Sequence, residues 1–401
     1  MTSLRSAFYP LEERIFYVLL AVGAAVSGIG LAAAHTMEEN GHIVTGMNNQ
    51  VVWGLPHVFA IFMIVAASGV LNIASIGSVF GQSVYKPRAP LSGLLSLALL
   101  GGGLSVLMLD LGRPDRVLVA ATNYNFRSVF AWNVFLYSGM AAIVALYLLT
   151  MFERRLNRHA RAAGIAALVW RFALTTGTGS IFGFLVARQA YQSALLAPLF
   201  IVLSFAWGLA VFLIVQSAMY AWNGRVPPEA VRRRMARLLA VFVGAALYLV
   251  AVFHMTNGYW SRQGAFEAFI LLGRGDPSGL FAPLFWLGYV ALGAVLPMAL
   301  LFQLRPPSAR VMLAASALVV LGAFAFLYVF IIGGQAYPLD IFPGYVATSS
   351  FGDGAVSVYH PSLPEWLLGI GGLGIAFLLT TVGVRALDFL PQDDFAAFGK
   401  E

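Results

Sequence analysis

Long apolar runs alternate with short polar breaks along nearly all of the chain's 401 residues. A helix needs about 20 apolar residues to cross the hydrocarbon core of a bilayer. Ten runs are long enough, at approximately 15–35, 51–80, 91–110, 128–152, 163–187, 193–222, 236–256, 279–303, 311–334 and 364–386. The pattern predicts an all-α integral membrane protein with about ten transmembrane helices, a single polytopic domain over residues 1–401. The fifth run is the most interrupted, by Arg171 and by TTGTGS. Spans two and six run in the same direction, and each mixes small residues with a Trp-Gly pair, Trp53-Gly54 and Trp207-Gly208. That likeness is compatible with a tandem of two four-helix bundles plus two peripheral helices. The bundles would hold spans 2–5, about 51–187, and spans 6–9, about 193–334.

Composition agrees with the pattern: 60% of residues are hydrophobic and 10% charged, where soluble domains carry about a quarter charged. The first 14 residues carry Arg5, Glu12, Glu13 and Arg14, and no small-residue cleavage site follows. The first span therefore reads as a retained helix rather than a signal peptide. The net charge of +7 does not call for nucleic acid, because basic residues of membrane proteins collect in cytoplasmic loops. Of the 24 Lys and Arg residues, 17 fall on one side: Arg5, Arg14, Lys86, Arg88, Arg154, Arg155, Arg158, Arg161, Arg225, Arg232, Arg233, Arg234, Arg237, Arg305, Arg310, Arg385 and Lys400. Six fall on the other (Arg113, Arg116, Arg127, Arg188, Arg262, Arg274), and Arg171 lies within a span. Both termini are expected to be cytoplasmic. Cysteine is absent, which excludes disulfides, thiolate chemistry, Cys-bound zinc and iron–sulfur clusters held by this protein's own cysteines.

The polar residues that lipid should exclude are the candidates for chemistry. In GMNNQVVWGLPHVFA, Asn49, Trp53 and His57 are spaced i, i+4, i+8 and would form one stripe on a helix descending from the outer surface. Pro56, next to His57, is expected to kink that helix. Asp110 ends the third span at the same level, with Arg113 and Arg116 just beyond; Arg188, His254 and Gln335 also fall in the outer half. Arg171, Asn72 and Gln216 mark the inner half, and Arg171, Arg188 and His254 are the candidates for a proton path. Plain structural readings stand beside these: a packing histidine, an interfacial tryptophan, a helix-end aspartate paired with Arg113. The outer loops 257–278 and 335–363 are longer and carry Pro, Gly and aromatics, the composition of ordered docking surfaces or of simple caps. Two in-span histidines without repeated spacing argue against haem, and too few His and carboxylates are present for a metal site. A pocket of His, Asn, Tyr, Trp and Asp suits a quinone, whose carbonyls accept hydrogen bonds and whose ring stacks on aromatics.

LDLGRPDR after the third span, WG early in the second and TGTGSIFG in the fifth together resemble the polysulfide-reductase membrane-subunit family, also called NrfD-like, over nearly the whole chain. GMNNQVVWGLPHVFA and ASGVLNIASIGSVFG look closest to its DsrP branch, the quinone-interacting subunits of a sulfur-metabolism complex. The resemblance implies a haem-free subunit of the bacterial inner membrane, not an enzyme in isolation. It would bind menaquinone or ubiquinone near the periplasmic face and exchange electrons with a periplasmic ferredoxin-like iron–sulfur subunit, in a complex that includes cytochromes. Carried onto this sequence, it makes Asn49, Trp53, His57, Arg113 and Tyr124 quinone-binding residues, and Asp110 with His57 the catalytic pair. Some members carry a histidine before the small-residue motif of the fifth span, where this protein has Leu174-Thr175.

The expected role is thus a quinone-binding electron-transfer subunit with linked proton transfer, surrounded by lipid and binding no nucleic acid. Two other classes remain open: a secondary transporter using Arg171 and Asp110, and a scaffold that anchors redox subunits without binding quinone.

Overall fold

The computed structural model describes residues 8–9, 13–222, 225–302, 307–339, 354–387 and 390–391. Arg5, Glu12, Arg305, Lys400 and residues 340–353, within the loop expected to face outward, lie outside the described residues. Helices make up the described part except for connecting turns and one two-residue antiparallel pairing of Phe8–Tyr9 with Leu390–Pro391. Among the described residues, ten helices are long and apolar enough to cross a membrane. They are Glu13–Asn40, Leu55–Val79, Ser83–Leu109, Val129–Phe152, Asn157–Gly183, Leu196–Trp222, Glu229–Tyr259, Phe281–Leu301, Ala309–Ala336 and Leu363–Ala386, below called spans one to ten. The protein is a multi-pass integral membrane protein. The end where even-numbered spans begin is called upper, and the opposite end lower.

Two expectations about these helices change. The fifth span is unbroken through TTGTGS: Thr175, Gly177, Thr178 and Gly179 are buried in the bundle, and the Thr175 and Thr178 hydroxyls donate to carbonyls one turn back in the same helix. The second span starts at Leu55 rather than near 51, with Gly54 as an extended N-cap and Pro56 in the first turn. Proline there forfeits no helical hydrogen bond, so it starts the helix and does not kink it. The wider π turns lie elsewhere, at Ser75–Val79, Leu284–Val295 and Tyr328–Gly333.

The second span is the axis of the molecule: 94% of its apolar window is buried by protein, against 17% for the first span. It packs on the third and sixth spans, while the tenth lies against the third and carries the first on its outer side. Helices in lipid gain little from apolar burial against one another and associate best where small residues let backbones approach. Two crossings use this. A Cβ built on Gly208 would stand 2.2 Å from the Val70 nitrogen, and one on Gly69 would stand 1.6 Å from the Ser204 carbonyl oxygen. Between the first and tenth spans, a Cβ on either Gly30 or Gly371 would stand 2.5 Å from the other's Cα.

The tenth span also anchors the upper end. Ser362 and Glu365 form a capping box, with Pro364 inside the first turn. Glu365, fully buried, accepts from the Gly46 and Ser362 N–H groups (both 2.8 Å) and from the Tyr359 hydroxyl (2.6 Å). That hydroxyl in turn accepts from the Leu55 N–H at 2.6 Å, and burial first, then the neighbouring carboxylate, pushes the Tyr359 phenol above its ordinary range. Glu365→Ala leaves several buried donors unpaired, each costing about 1–3 kcal/mol. The expected result is a lower thermal midpoint of the purified protein, with Glu365→Gln losing less; an unchanged midpoint in Glu365→Ala would contradict the anchoring role.

Candidate functional site

The segment that leads into the second span is shaped by one side chain. The Asn48 carboxamide oxygen accepts from the Gln50 and Val51 N–H groups, both at 2.9 Å, turning the backbone before the helix can begin. Beyond that turn, Val52 and Trp53 run alongside Gln335, whose Oε1 accepts their N–H groups at 3.1 and 3.0 Å and whose Nε2 donates to the Trp53 carbonyl at 2.9 Å. Gln335, at the end of the ninth span, thus pairs with the backbone around Trp53 as another strand would. Arg188 closes the arrangement, donating to the Gln335 carbonyl at 3.0 Å and the Gln50 carbonyl at 2.8 Å. Burial holds its guanidinium below the ordinary arginine value.

This backbone course overturns the helical stripe. Asn49 and Trp53 precede the helix, so i, i+4, i+8 spacing does not align them with His57, and Asn49 is exposed. Trp53 reaches His57 by another route: their rings stack at 6.0 Å with a 23° tilt. The indole also meets the edges of Phe130 at 6.1 Å and Phe182 at 5.6 Å.

His57 lies in the first turn of the second span, and Asp110 is the residue that ends the third. Their pairing is close: Nδ1 lies 2.9 Å from Oδ2, within ion-pair distance though off hydrogen-bond alignment. The Asp110 side chain is 2% exposed, that of His57 22%. Asp110 Oδ1 has no hydrogen-bond partner among the described residues. With Nδ1 facing the carboxylate, Nε2 is the imidazole atom left for a ligand. A cleft lies between the end of the first span and the LDLGRP turn, lined by residues that include Met37, His42, Leu109 and Leu111 but not by His57, Trp53 or Asp110.

Two other expected members are not in this group. Arg113 pairs with Asp115, not Asp110, through Nε at 3.0 Å and Nη2 at 2.9 Å. The guanidinium holds the Asp115 carboxyl below its usual range and is itself raised by that bond. Two residues of separation let the fork close locally, without reaching back to Asp110. Tyr124 is exposed and packs on Phe126 at 4.5 Å and Phe135 at 5.1 Å. Among the described residues no hydrogen bond or ring contact joins it to His57.

The three proton-path candidates sit in three separate networks. Arg171 is buried mid-span, donating through Nη1 to Asn72 Oδ1 at 2.7 Å and the Ser68 carbonyl at 3.2 Å, over the rings of Phe172 and Phe205. Arg188 belongs to the Gln335 group. His254 pairs with Glu267 on a short helix, Gly264–Leu272, Nδ1 to Oε2 at 2.7 Å. Gln216 is buried with no partner for Oε1 among the described residues. Sequence reading missed Asn48, Gln50, Glu267, Tyr359 and Glu365. Only Glu365 left a local signal, the Ser-x-x-Glu spacing of a capping box.

Comparison with known proteins adds an independent observation. Residues 43–338 match the sequence profile of the family described as "Polysulphide reductase, NrfD", a segment that runs from ahead of the second span to just past the ninth. The Hdr-like menaquinol oxidoreductase integral membrane subunit of Archaeoglobus fulgidus is 29% identical, over 94% of this protein and 94% of its own length. A putative membrane subunit of dimethyl sulfoxide reductase from Halobacterium salinarum is 28% identical, over 95% and 93%. One of the polypeptides of polysulfide reductase from Wolinella succinogenes is 25% identical, over 72% of this protein and 96% of its own length.

Proposed function

The chain belongs to the NrfD polysulphide reductase family, and from that membership and the His57 geometry we propose that it is the quinone-binding membrane subunit of an oxidoreductase complex. The carrying observation is the half-open imidazole of His57, backed by buried Asp110 and stacked on Trp53. The upper end is the periplasmic face in this reading, supported by the distribution of 17 against six basic residues. The names of relatives, a menaquinol oxidoreductase subunit among them, support a quinone as the substrate.

The residues fit such a substrate. Trp53 and Phe130 offer an aromatic wall for the ring, and His57 Nε2 a hydrogen bond to one of its oxygens. Oxidation of a quinol releases two electrons and two protons. His57 takes one proton at Nε2 and the other leaves to solvent at the upper face, while Asp110 holds the ring's orientation and stabilises the imidazolium that forms. The electrons pass to a partner subunit, for which a periplasmic ferredoxin-like iron–sulfur protein docked on the upper loops is the natural acceptor. Cytochrome-bearing subunits complete the complex, and the DsrP branch is the narrower placement, supported by GMNNQVVWGLPHVFA and ASGVLNIASIGSVFG. Arg113 and Tyr124 have at most a role at the rim, since their side chains are engaged or exposed elsewhere.

Titrating the purified protein with a menaquinone analogue tests the reading. Asp110→Asn should weaken binding at this site about 10-fold, because the charge that faces His57 Nδ1 and holds the imidazole is removed. No binding by the wild-type protein would leave a scaffold, and solute uptake by liposomes holding this protein alone would make it a transporter.

A further inference from the structure

The seventh span is longer than a bilayer requires. Glu229–Tyr259 has 31 residues, about 46 Å at 1.5 Å per residue, against about 30 Å of hydrocarbon. Its first turns at the lower end carry Arg232, Arg233, Arg234 and Arg237, and no Lys, Arg, Asp or Glu follows them to the end of the helix. The change from charged to apolar after Arg237 places these arginines at the level of the lipid headgroups.

The four are not equivalent. Arg232 donates to the Pro227 and Pro307 carbonyls. Arg233 pairs with Glu229 on its own helix at 3.1 Å. Arg234 and Arg237 are exposed, and among the described residues neither makes a hydrogen bond or an ion pair. Both line an open cleft of about 450 Å³, together with Glu229, Ala230 and Arg233.

Helical spacing joins this cleft to a longer surface. At about 100° per residue, Ala230, Arg234, Arg237, Val241, Tyr248 and Met255 fall within about 60° of one another. All six are exposed, while the opposite face, with Met235, Leu239, Val243 and Val250, is buried in the bundle. The stripe therefore looks away from the protein, with its arginines at the lower end. Below them in sequence order the apolar part continues from Arg237 to Met255, about 27 Å along the helix.

Two unpaired arginines three residues apart repel each other, and both face the positive end of the helix dipole. An anion in the cleft relieves both repulsions. Arginine suits phosphate in particular, because its planar fork donates two hydrogen bonds to neighbouring oxygens. The one carboxylate of the cleft, Glu229, is engaged by Arg233 and is not free to take the ammonium of a zwitterionic headgroup. The apolar stripe on the same face favours an anion that carries a long apolar body, where an acidic protein surface would leave that stripe unused.

We propose that this cleft binds the headgroup of an anionic phospholipid, its phosphate held between Arg234 and Arg237 and its acyl chains laid along Val241, Tyr248 and Met255. The site is separate from the one at His57 and does not rest on the proposed function.

The test is native mass spectrometry of the purified, delipidated full-length protein, titrated with dioleoyl phosphatidylglycerol or dioleoyl phosphatidylcholine. The first phosphatidylglycerol is expected to bind wild type at least about 10-fold more tightly than the first phosphatidylcholine. A basic residue near a lipid surface contributes roughly 5-fold, so Arg234→Gln with Arg237→Gln should lose roughly 25-fold in phosphatidylglycerol affinity. Both side chains are exposed and unpaired, so the double variant should fold. Arg155→Gln with Arg158→Gln removes the same charge from the same end, away from the cleft, and should leave the affinity near the wild-type value. Equal losses in the two double variants overturn the site, leaving only a general attraction to positive charge. Equal binding of the two lipids by wild type also overturns it and leaves the arginines to an acidic protein partner. Glycerol 1-phosphate, which has the phosphate without acyl chains, should not compete; effective competition would make this a site for soluble phosphates and overturn the lipid assignment.

Discussion

Replacing His57 with leucine is expected to lower quinol-dependent electron transfer in the assembled complex by a factor on the order of 10²–10⁴, the usual contribution of a positioned acid–base group. The variant itself should still fold and assemble. His57 lies in the first helical turn with its side chain 22% exposed, so leucine there replaces a half-open ring and leaves no deep cavity. The cost falls on Asp110, 2% exposed at the side chain, whose Oδ2 loses the imidazole that faces it. Activity in His57→Leu should be low because no imidazole is left to take the quinol proton, and Asp110→Asn should retain more of it, since an amide still orients the imidazole. Steady-state quinol oxidation with the partner as acceptor checks both. Wild-type turnover in His57→Leu, with the partner bound, removes the assignment.

Gly208→Leu is the second large effect, and it concerns the fold. Spans two and six meet backbone to backbone: the built Cβ at Gly208 lies 2.2 Å from Val70 N and 2.3 Å from Gly69 C. No flexible side chain can move aside there, so the two helices must separate along the axis of the molecule. Overpacking a core usually costs about 1–3 kcal/mol when neighbours can relax; here they are main-chain atoms, and the loss should exceed that range. The expected outcome is little folded protein after detergent extraction, by size-exclusion profile and thermal unfolding. Gly244→Leu is the control. Its nearest neighbour is the Met298 sulfur at 3.3 Å, a side chain that can swing away, so that variant should fold. Equal yields from the two would contradict the close-crossing account.

Apolar runs located the spans well where a helix begins at a sharp change in hydropathy. The fourth was expected at about 128–152 and runs Val129–Phe152; the tenth, expected at about 364–386, runs Leu363–Ala386. Hydropathy failed at the segment that mattered most for the site. Val51 and Val52 are apolar, yet the Asn48 side chain turns the backbone and Gln335, from nearly 300 residues away, pairs with it as an extended segment. An apolar run contains neither effect. His57 does meet Asp110 and Trp53, but the His57–Trp53 contact arises from ring stacking across the helix start, not from helical spacing. Arg113 was assigned across the turn when a bidentate partner stood two residues away. Glu267 sits in a segment whose flanking residues are apolar, GAFEAFILL, and nothing local marks it as the partner of His254. Long-range pairings of this kind depend on how helices pack, which a single sequence states only indirectly.

The most direct measurement is photoaffinity labelling of the purified protein with an azido-naphthoquinone, followed by mapping of the modified peptides. The account predicts labelling of the segment holding Trp53 and His57, or of the one holding Phe130, competed by unmodified quinone and lost in Asp110→Asn with His57→Leu. Competed labelling confined to the lower half, around Arg171 and Asn72, with none at Trp53, His57 or Phe130, would contradict it.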